Sequence, residues 1–294
     1  MPDGSVWLAA PWFWQATGLM AVVAALCSLV GVFLILRGLS LLTDAISHAV
    51  LPGVVAGYLL AGYMPLAFLA GAVLSGLACV SAIGTLTRRT RLKEDAAMGV
   101  VFPPMFALGI VMLSSLRGVD LDPGCVVFGE PLAAKPESLV LAGLLLVTTL
   151  AVGALAYRPL TLATFDPLQA RLLGVPERFI HTALLVFVAL ATVVALRAVG
   201  IVLAIAFFIT PGATAALLVK RLPALLGLAA LLAVAEAFLG MLLAVSQNVS
   251  PSGVTASLAL LVFLTVVTVQ VVVARVRARL AGSLRAVPDS PAGA

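Results

Sequence analysis

Runs of about 20 apolar residues, each long enough to cross a bilayer core as a helix, follow one another along almost the whole 294-residue chain. They fall near 12–36, 41–61, 64–87, 96–116, 138–157, 179–196, 200–219, 223–245 and 254–274. In lipid every backbone N–H and C=O must be paired within the protein, which leaves helices and closed barrels as spanning structures. A barrel would be written as alternating segments of about 10 residues, and the sequence lacks that alternation. Charged residues make up 10% of the chain, against about 25% in soluble domains, so charge cannot cover its surface in water. Hydrophobic residues make up 63% and mean hydropathy is +1.23. The expected fold is all-α: a polytopic transmembrane helical bundle of about nine spans. It forms a single membrane domain over 1–294, with no room for a sizeable soluble unit.

The basic residues give the bundle its sidedness. Nine spans alternate the loops so that one side holds Arg37, Arg88, Arg89, Arg91, Lys93, Arg158, Arg171, Arg178, Lys220, Arg221, Arg275, Arg277, Arg279 and Arg285. The other side holds Arg117, Lys135 and Arg197. The positive-inside rule makes the first side cytoplasmic. Residues 1–11 are then an outer segment and 275–294 a cytoplasmic tail. An eight-span arrangement breaks this alternation unless one segment does not cross; the very short junction at 196–200 is its weak point. The net charge of +5 follows from this sidedness and is not a nucleic-acid signal. The N-terminus lacks a basic stretch and a cleavage site, so it is expected to remain in the mature protein. Trp7, Trp12 and Trp14 suit a headgroup belt. Cys27, Cys79 and Cys125 form no CxxC pattern, and no disulfide framework is expected.

Two connections are long. The outer one, 117–137, carries acidic residues and Pro/Gly turns and reads as a short lid. The inner one contains "DPLQARLLG", with Asp166 as N-cap, Pro167 at the first helical position and Gly174 as the stop. Such a short helix can bind a partner or serve as an ordinary amphipathic connector. Two spans are interrupted by proline, "HAVLPG" with Pro52 and Gly53, and "FFITPGATAALL" with Pro211 and Gly212. Interrupted helices line substrate paths in transporters, although kinks are also tolerated in packed bundles.

Three ionisable residues sit inside apolar runs. Asp44 and His48, four positions apart, share one helical face. A carboxylate oxygen and an imidazole nitrogen there can grip a divalent cation, with Thr43 and Ser47 as supporting partners. The alternative is an Asp at a helix start merely paired with the histidine. Glu236 lies mid-span, where a charge costs about 2.5–3.5 kcal/mol on insertion scales unless it faces a cavity or partner. It is a third candidate ligand, or a protonated acid bonded to a neighbouring helix. His181, at the inner mouth of its span, reads as an interfacial side chain. The sequence has no GxxxxGK[ST], HExxH or GxSxG, so it offers no P-loop of its own, no zinc-protease motif and no nucleophile elbow.

These residues are similar to a known family. "RGLSLLTDAISHAVLPGVVAGYLL", "KEDAAMGVVFPPMFALGIVMLS", "LATFDPLQARLLGVP" and "ALRAVGIVLAIAFFITPGATAALLVKRL" resemble, in order, segments of the membrane permeases of metal-ion ABC importers. The resemblance covers most of residues 30–270. It implies a fold related to the vitamin B12 and siderophore (type II) permeases. It also implies a homodimer with the pathway at its interface, two ATPase subunits on the cytoplasmic side and an extracellular or periplasmic metal-binding protein. On this reading the chain is not itself an enzyme. It carries Mn2+, with Zn2+ or Fe2+ next, inward across a prokaryotic plasma membrane by alternating access. Asp44 and His48 match the ion-coordinating positions. Phe165, Asp166, Pro167, Ala170, Arg171, Leu173 and Gly174 form the segment, within 158–178, that couples to the ATPase. Pro52, Gly53, Pro211 and Gly212 are then pathway or hinge positions. A secondary metal transporter driven by an ion gradient is the main alternative; an intramembrane enzyme and a purely structural subunit are weaker ones.

Overall fold

The computed structural model describes residues 10–62, 64–115 and 136–285. The expected outer lid, the Trp7 anchor, Cys125, Arg117, Lys135 and the end of the tail lie outside the described residues. Twelve helices account for nearly all the rest. They are α1 (Pro11–Leu36), α2 (Leu42–Ala49), α3 (Leu51–Ala61), α4 (Pro65–Arg89), α5 (Glu94–Ser114) and α6 (Pro136–Leu155), followed by α7 (Tyr157–Phe165), α8 (Pro167–Leu172), α9 (Glu177–Val199), α10 (Ile201–Leu218), α11 (Leu222–Gln247) and α12 (Pro251–Arg285). Proline, pre-set for the first helical turn and needing no donor there, opens α1, α4, α6, α8 and α12 and stands second in α3 and α11. Among the described residues nine helical stretches are long and apolar enough to cross a membrane, one of them formed by α2 and α3 together.

Contacts at the two ends of the bundle support the alternation of crossings. At one end Arg37 meets Thr164, and Arg88 reaches Thr182. At the other, Ser252 at the start of α12 donates to the Val199 carbonyl at the end of α9. The junction at 196–200 is a true break. Gly200 alone separates α9 from α10 and adopts φ +83°, a conformation open to glycine and strained for other residues. α10 then runs back, since Leu217 near its end accepts from Gln270, far along α12.

The first helix forms the centre. α1 packs against α6, α9, α10 and α11, and Leu19, Met20, Val23, Leu26 and Cys27 on it are fully buried. Without a hydrophobic force between helices in lipid, association relies on close packing of small residues. Gly31 supplies it here: a Cβ on it would lie 1.8 Å from the Phe208 carbonyl oxygen of α10. α3 and α4 meet as closely, with a Cβ on Gly53 falling 2.0 Å from the Gly71 oxygen. Helical Thr and Ser hydroxyls return to the carbonyl one turn back, as Thr192, Thr214 and Thr255 do, which satisfies them without water.

The two proline-interrupted segments differ from each other. At Pro52 the span is broken into α2 and α3. The Ala49 carbonyl at the break accepts the Ser75 hydroxyl of α4 at 2.6 Å. At Pro211 the expected interruption is corrected: α10 continues through it as one helix. Pro211 and Gly212 are buried, and a Cβ on Gly212 would approach Ile35 Cδ1 of α1 at 2.9 Å. Packing against α1 holds the helix together where a hydrogen bond is missing. A further pair, Pro103 and Pro104, stands inside α5.

Candidate metal site and coupling segment

The short helix α2 carries the ion pair. His48 Nε2 lies 3.5 Å from Asp44 Oδ1, one turn away. Two donors on one tetrahedral cation, each at about 2.0–2.2 Å, stand about 3.4 Å apart, close to this separation. Both side chains remain partly open, at 31% for His48 and 43% for Asp44. The histidine ring lies against Phe106 and Phe102 of α5, with centroids 5.0 and 6.0 Å away. These aromatics sit on one face, four residues apart, and limit the directions the imidazole can take. The sequence reading did not single them out, although their spacing was visible. Ser47 donates to the Thr43 carbonyl at 2.7 Å, and both residues are buried; their polar groups are spent on the helix.

Glu236 is not brought to this pair. It lies on α11, which packs on α1, α10 and α12, while α2 packs chiefly on α5, α9 and α4. Among the described residues no three of His, Cys, Asp and Glu gather into a group. Glu236 is 2% exposed, and neither carboxyl oxygen has a hydrogen-bond partner. The Thr17 hydroxyl of α1 is in the same condition. Cys27 and Cys79 are buried and free.

The inner connection folds as its sequence signals indicate. Asp166 accepts from the Gln169 N–H at 2.9 Å, Pro167 opens α8, and Gly174 takes φ +72° beyond its end. Ala170, fully buried, sits with Ala163 and Ile180 in a small cluster. Four apolar side chains of the segment are open, Phe165, Leu168, Leu172 and Leu173, beside the exposed Gln169 and Arg171. Leu168 and Leu172, which no cap or stop signal marks, are the most exposed of these four. Arg171 pairs with Glu177 across the turn, and that bond raises the guanidinium above its usual value.

Beside this segment lies a polar cluster whose members are far apart in sequence and share no motif. Arg37, just past α1, donates through Nε and Nη2 to Thr164 Oγ1 at 3.2 and 3.1 Å. Its Nη1 is 3.2 Å from His181 Nδ1. His181 Nε2 is 3.2 Å from Glu94 Oε1 at the start of α5. Burial lowers the Arg37 guanidinium from its ordinary value, against the opposing pull of Glu94 and Glu177.

Comparison with known proteins agrees with this architecture. Residues 11–270 match the model of the ABC 3 transport family. The manganese transport system membrane protein MntC of Halalkalibacterium halodurans is 44% identical over 237 residues, covering 80% of each chain. The zinc transport system membrane protein TroD of Treponema pallidum is 39% identical, covering 82% of this chain and 70% of that one. Among solved structures, PsaBC from Streptococcus pneumoniae in complex with Fab is similar with a TM-score of 0.77 and 31% identity, over 88% of this chain and 92% of that one. An inward-facing metal-chelate type ABC transporter shares the fold at a TM-score of 0.67 and 17% identity, over 88% and 85%. With its spans, its break at Pro52 and its short helix after Asp166, this chain belongs to the ABC 3 transport family of membrane permeases.

Proposed function

We propose that this chain is the permease subunit of an ABC importer for a divalent transition-metal ion, with Mn2+ the favoured cargo and Zn2+ or Fe2+ next. The observation that carries the reading is the Asp44–His48 pair: two ligand-type side chains 3.5 Å apart and partly open within a candidate span. Open charge cannot face lipid cheaply. A second copy of the permease covering this face gives the pair an enclosed pathway, and a partner residue or water completes the coordination. Glu236 is a separate buried acid within one chain, so the proposed site rests on Asp44 and His48. Oxygen and imidazole donors suit manganese, iron(II) and zinc alike; the manganese relative has the higher identity of the two described.

The exposed apolar side of α8 is the proposed contact for the two ATPase subunits, with Asp166, Pro167 and Gly174 fixing the helix and Ala170 seating it. An external binding protein delivers the ion, and ATP-driven closure of the partners exchanges outward and inward access. The basic end of the bundle faces the cytoplasm of a prokaryote.

The test is uptake of Mn2+ and Zn2+ into proteoliposomes holding the permease with its ATPase and binding protein, with and without ATP. Asp44→Ala and His48→Ala are expected to abolish uptake while the complex still assembles. Normal transport by both variants would remove the site, and uptake driven by a proton gradient without ATP would replace the importer with a secondary transporter.

A further inference from the structure

The polar cluster beside the coupling segment connects elements far apart in sequence. Thr164 is two residues before the α8 cap. Arg37 stands just past α1, and five residues later the chain enters α2, which carries Asp44. His181 lies in the first turns of α9. Glu94 opens α5, and about 12 and 18 Å further along that helix Phe102 and Phe106 lie against His48.

The donors and acceptors fix the chemistry of the contact. A guanidinium has five N–H donors and no acceptor. Arg37 therefore donates both to Thr164 Oγ1 and to His181 Nδ1. Nδ1 must then offer its lone pair, which puts the ring proton on Nε2, 3.2 Å from the Glu94 carboxylate. Neutral His181 is the only ring form that satisfies both neighbours at once. An imidazolium would have no lone pair for Arg37 and would face it as a like charge.

We infer that Thr164, Arg37, His181 and Glu94 form a positioning linkage that carries movement of the α8 segment to α2, which bears the Asp44–His48 pair, and to α5, which borders it. One branch runs through Arg37 into α2 and the other through His181 and Glu94 into α5. The inference rests on the proposed docking of an ATPase at α8. His181 does not touch the ion; it sets α5 against α9 and α1 so that the aromatic wall behind His48 follows the coupling segment.

Physical contiguity alone does not demonstrate coupling, so the test is energetic. The complete complex of permease, ATPase and binding protein is reconstituted, and Mn2+ uptake and ATP hydrolysis are measured together. His181→Phe keeps the ring's bulk and removes both polar contacts. Thr164→Val keeps its shape and removes the Arg37 acceptor together with the hydroxyl's bond to the Leu160 carbonyl within its own helix. Each is expected to leave the complex assembled, the thermal midpoint within about 3 °C and basal hydrolysis within about twofold of wild type, while ions transported per ATP fall at least tenfold. His181→Gln, with one accepting and one donating group, is expected to restore most of the ratio. The double variant Thr164→Val with His181→Phe is expected to fall no further than the worse single one. Unchanged stoichiometry in both single variants, with ATP-dependent uptake in the wild type, overturns the linkage alone. A fall that merely follows lost stability, or that His181→Gln fails to rescue, also overturns it. Wild-type uptake that ignores ATP overturns the importer reading, and the linkage with it.

Discussion

Gly53→Ala probes the tightest feature around the broken span. A Cβ at this position would lie 2.0 Å from the Gly71 carbonyl oxygen and 2.5 Å from Ser75 Cβ. The first neighbour is backbone and has no rotamer to change. Ordinary contact at 3.4 Å requires α3 and α4 to part by about 1.4 Å along that line. Overpacking of this kind costs about 1–3 kcal/mol. Ser75, the second neighbour, also donates to the Ala49 carbonyl at 2.6 Å, and displacing it weakens that bond, adding about 1 kcal/mol. The expected loss is about 2–4 kcal/mol. Gly71→Ala meets the Gly53 oxygen at the same 2.0 Å. Either methyl opens the same gap, so the double variant is expected to lose less than the sum of the singles. Gly99 and Gly227 have no atom within 4 Å of a built Cβ. Alanine there is expected to stabilise the helix by up to about 1 kcal/mol, the opposite sign. Unfolding midpoints of all five variants in one nanodisc composition decide the matter. A Gly53→Ala protein as stable as Gly99→Ala would refute the packing argument.

Leu172→Asp places a charge on the open side of α8 and touches no buried contact. Its thermal midpoint is expected to stay within about 0.5 kcal/mol of wild type, while co-purification of the ATPase is lost. Asp166→Ala removes the cap on Gln169 and is expected to cost about 1 kcal/mol, seen as faster hydrogen exchange at the first amides of α8. Glu236→Met keeps volume and removes two unsatisfied oxygens, so the midpoint is expected to rise by the equivalent of about 1–3 kcal/mol; a lower midpoint would show that the carboxyl is paired in the membrane-embedded complex.

Much of this architecture was written locally. Length and hydropathy marked the spans, and the Asp166–Pro167–Gly174 signals marked α8, because caps and stops act within a few residues. The Asp44–His48 contact was equally local, being one helical turn. The continuity of α10 through Pro211 was not, since it depends on Val32 and Ile35 of α1 lying alongside. The separation of Glu236 from the ion pair depends on which helix neighbours which, and so does the assembly of Arg37 with Thr164 and His181, 127 and 144 residues away. No period or motif in one segment encodes such neighbours.

The central place of α1 has a consequence for biogenesis. It precedes the other eight described spans in the chain and, with a mean hydropathy of 2.9, is the most apolar of the nine. Yet most of its permanent neighbours, α9, α10 and α11, are made last. Until Phe208 arrives, the bare backbone at Gly31 must be shielded by lipid or by a membrane chaperone. Its strong apolar character lets it insert and wait there alone, and the final shape of the bundle is reached only when the C-terminal third closes around it.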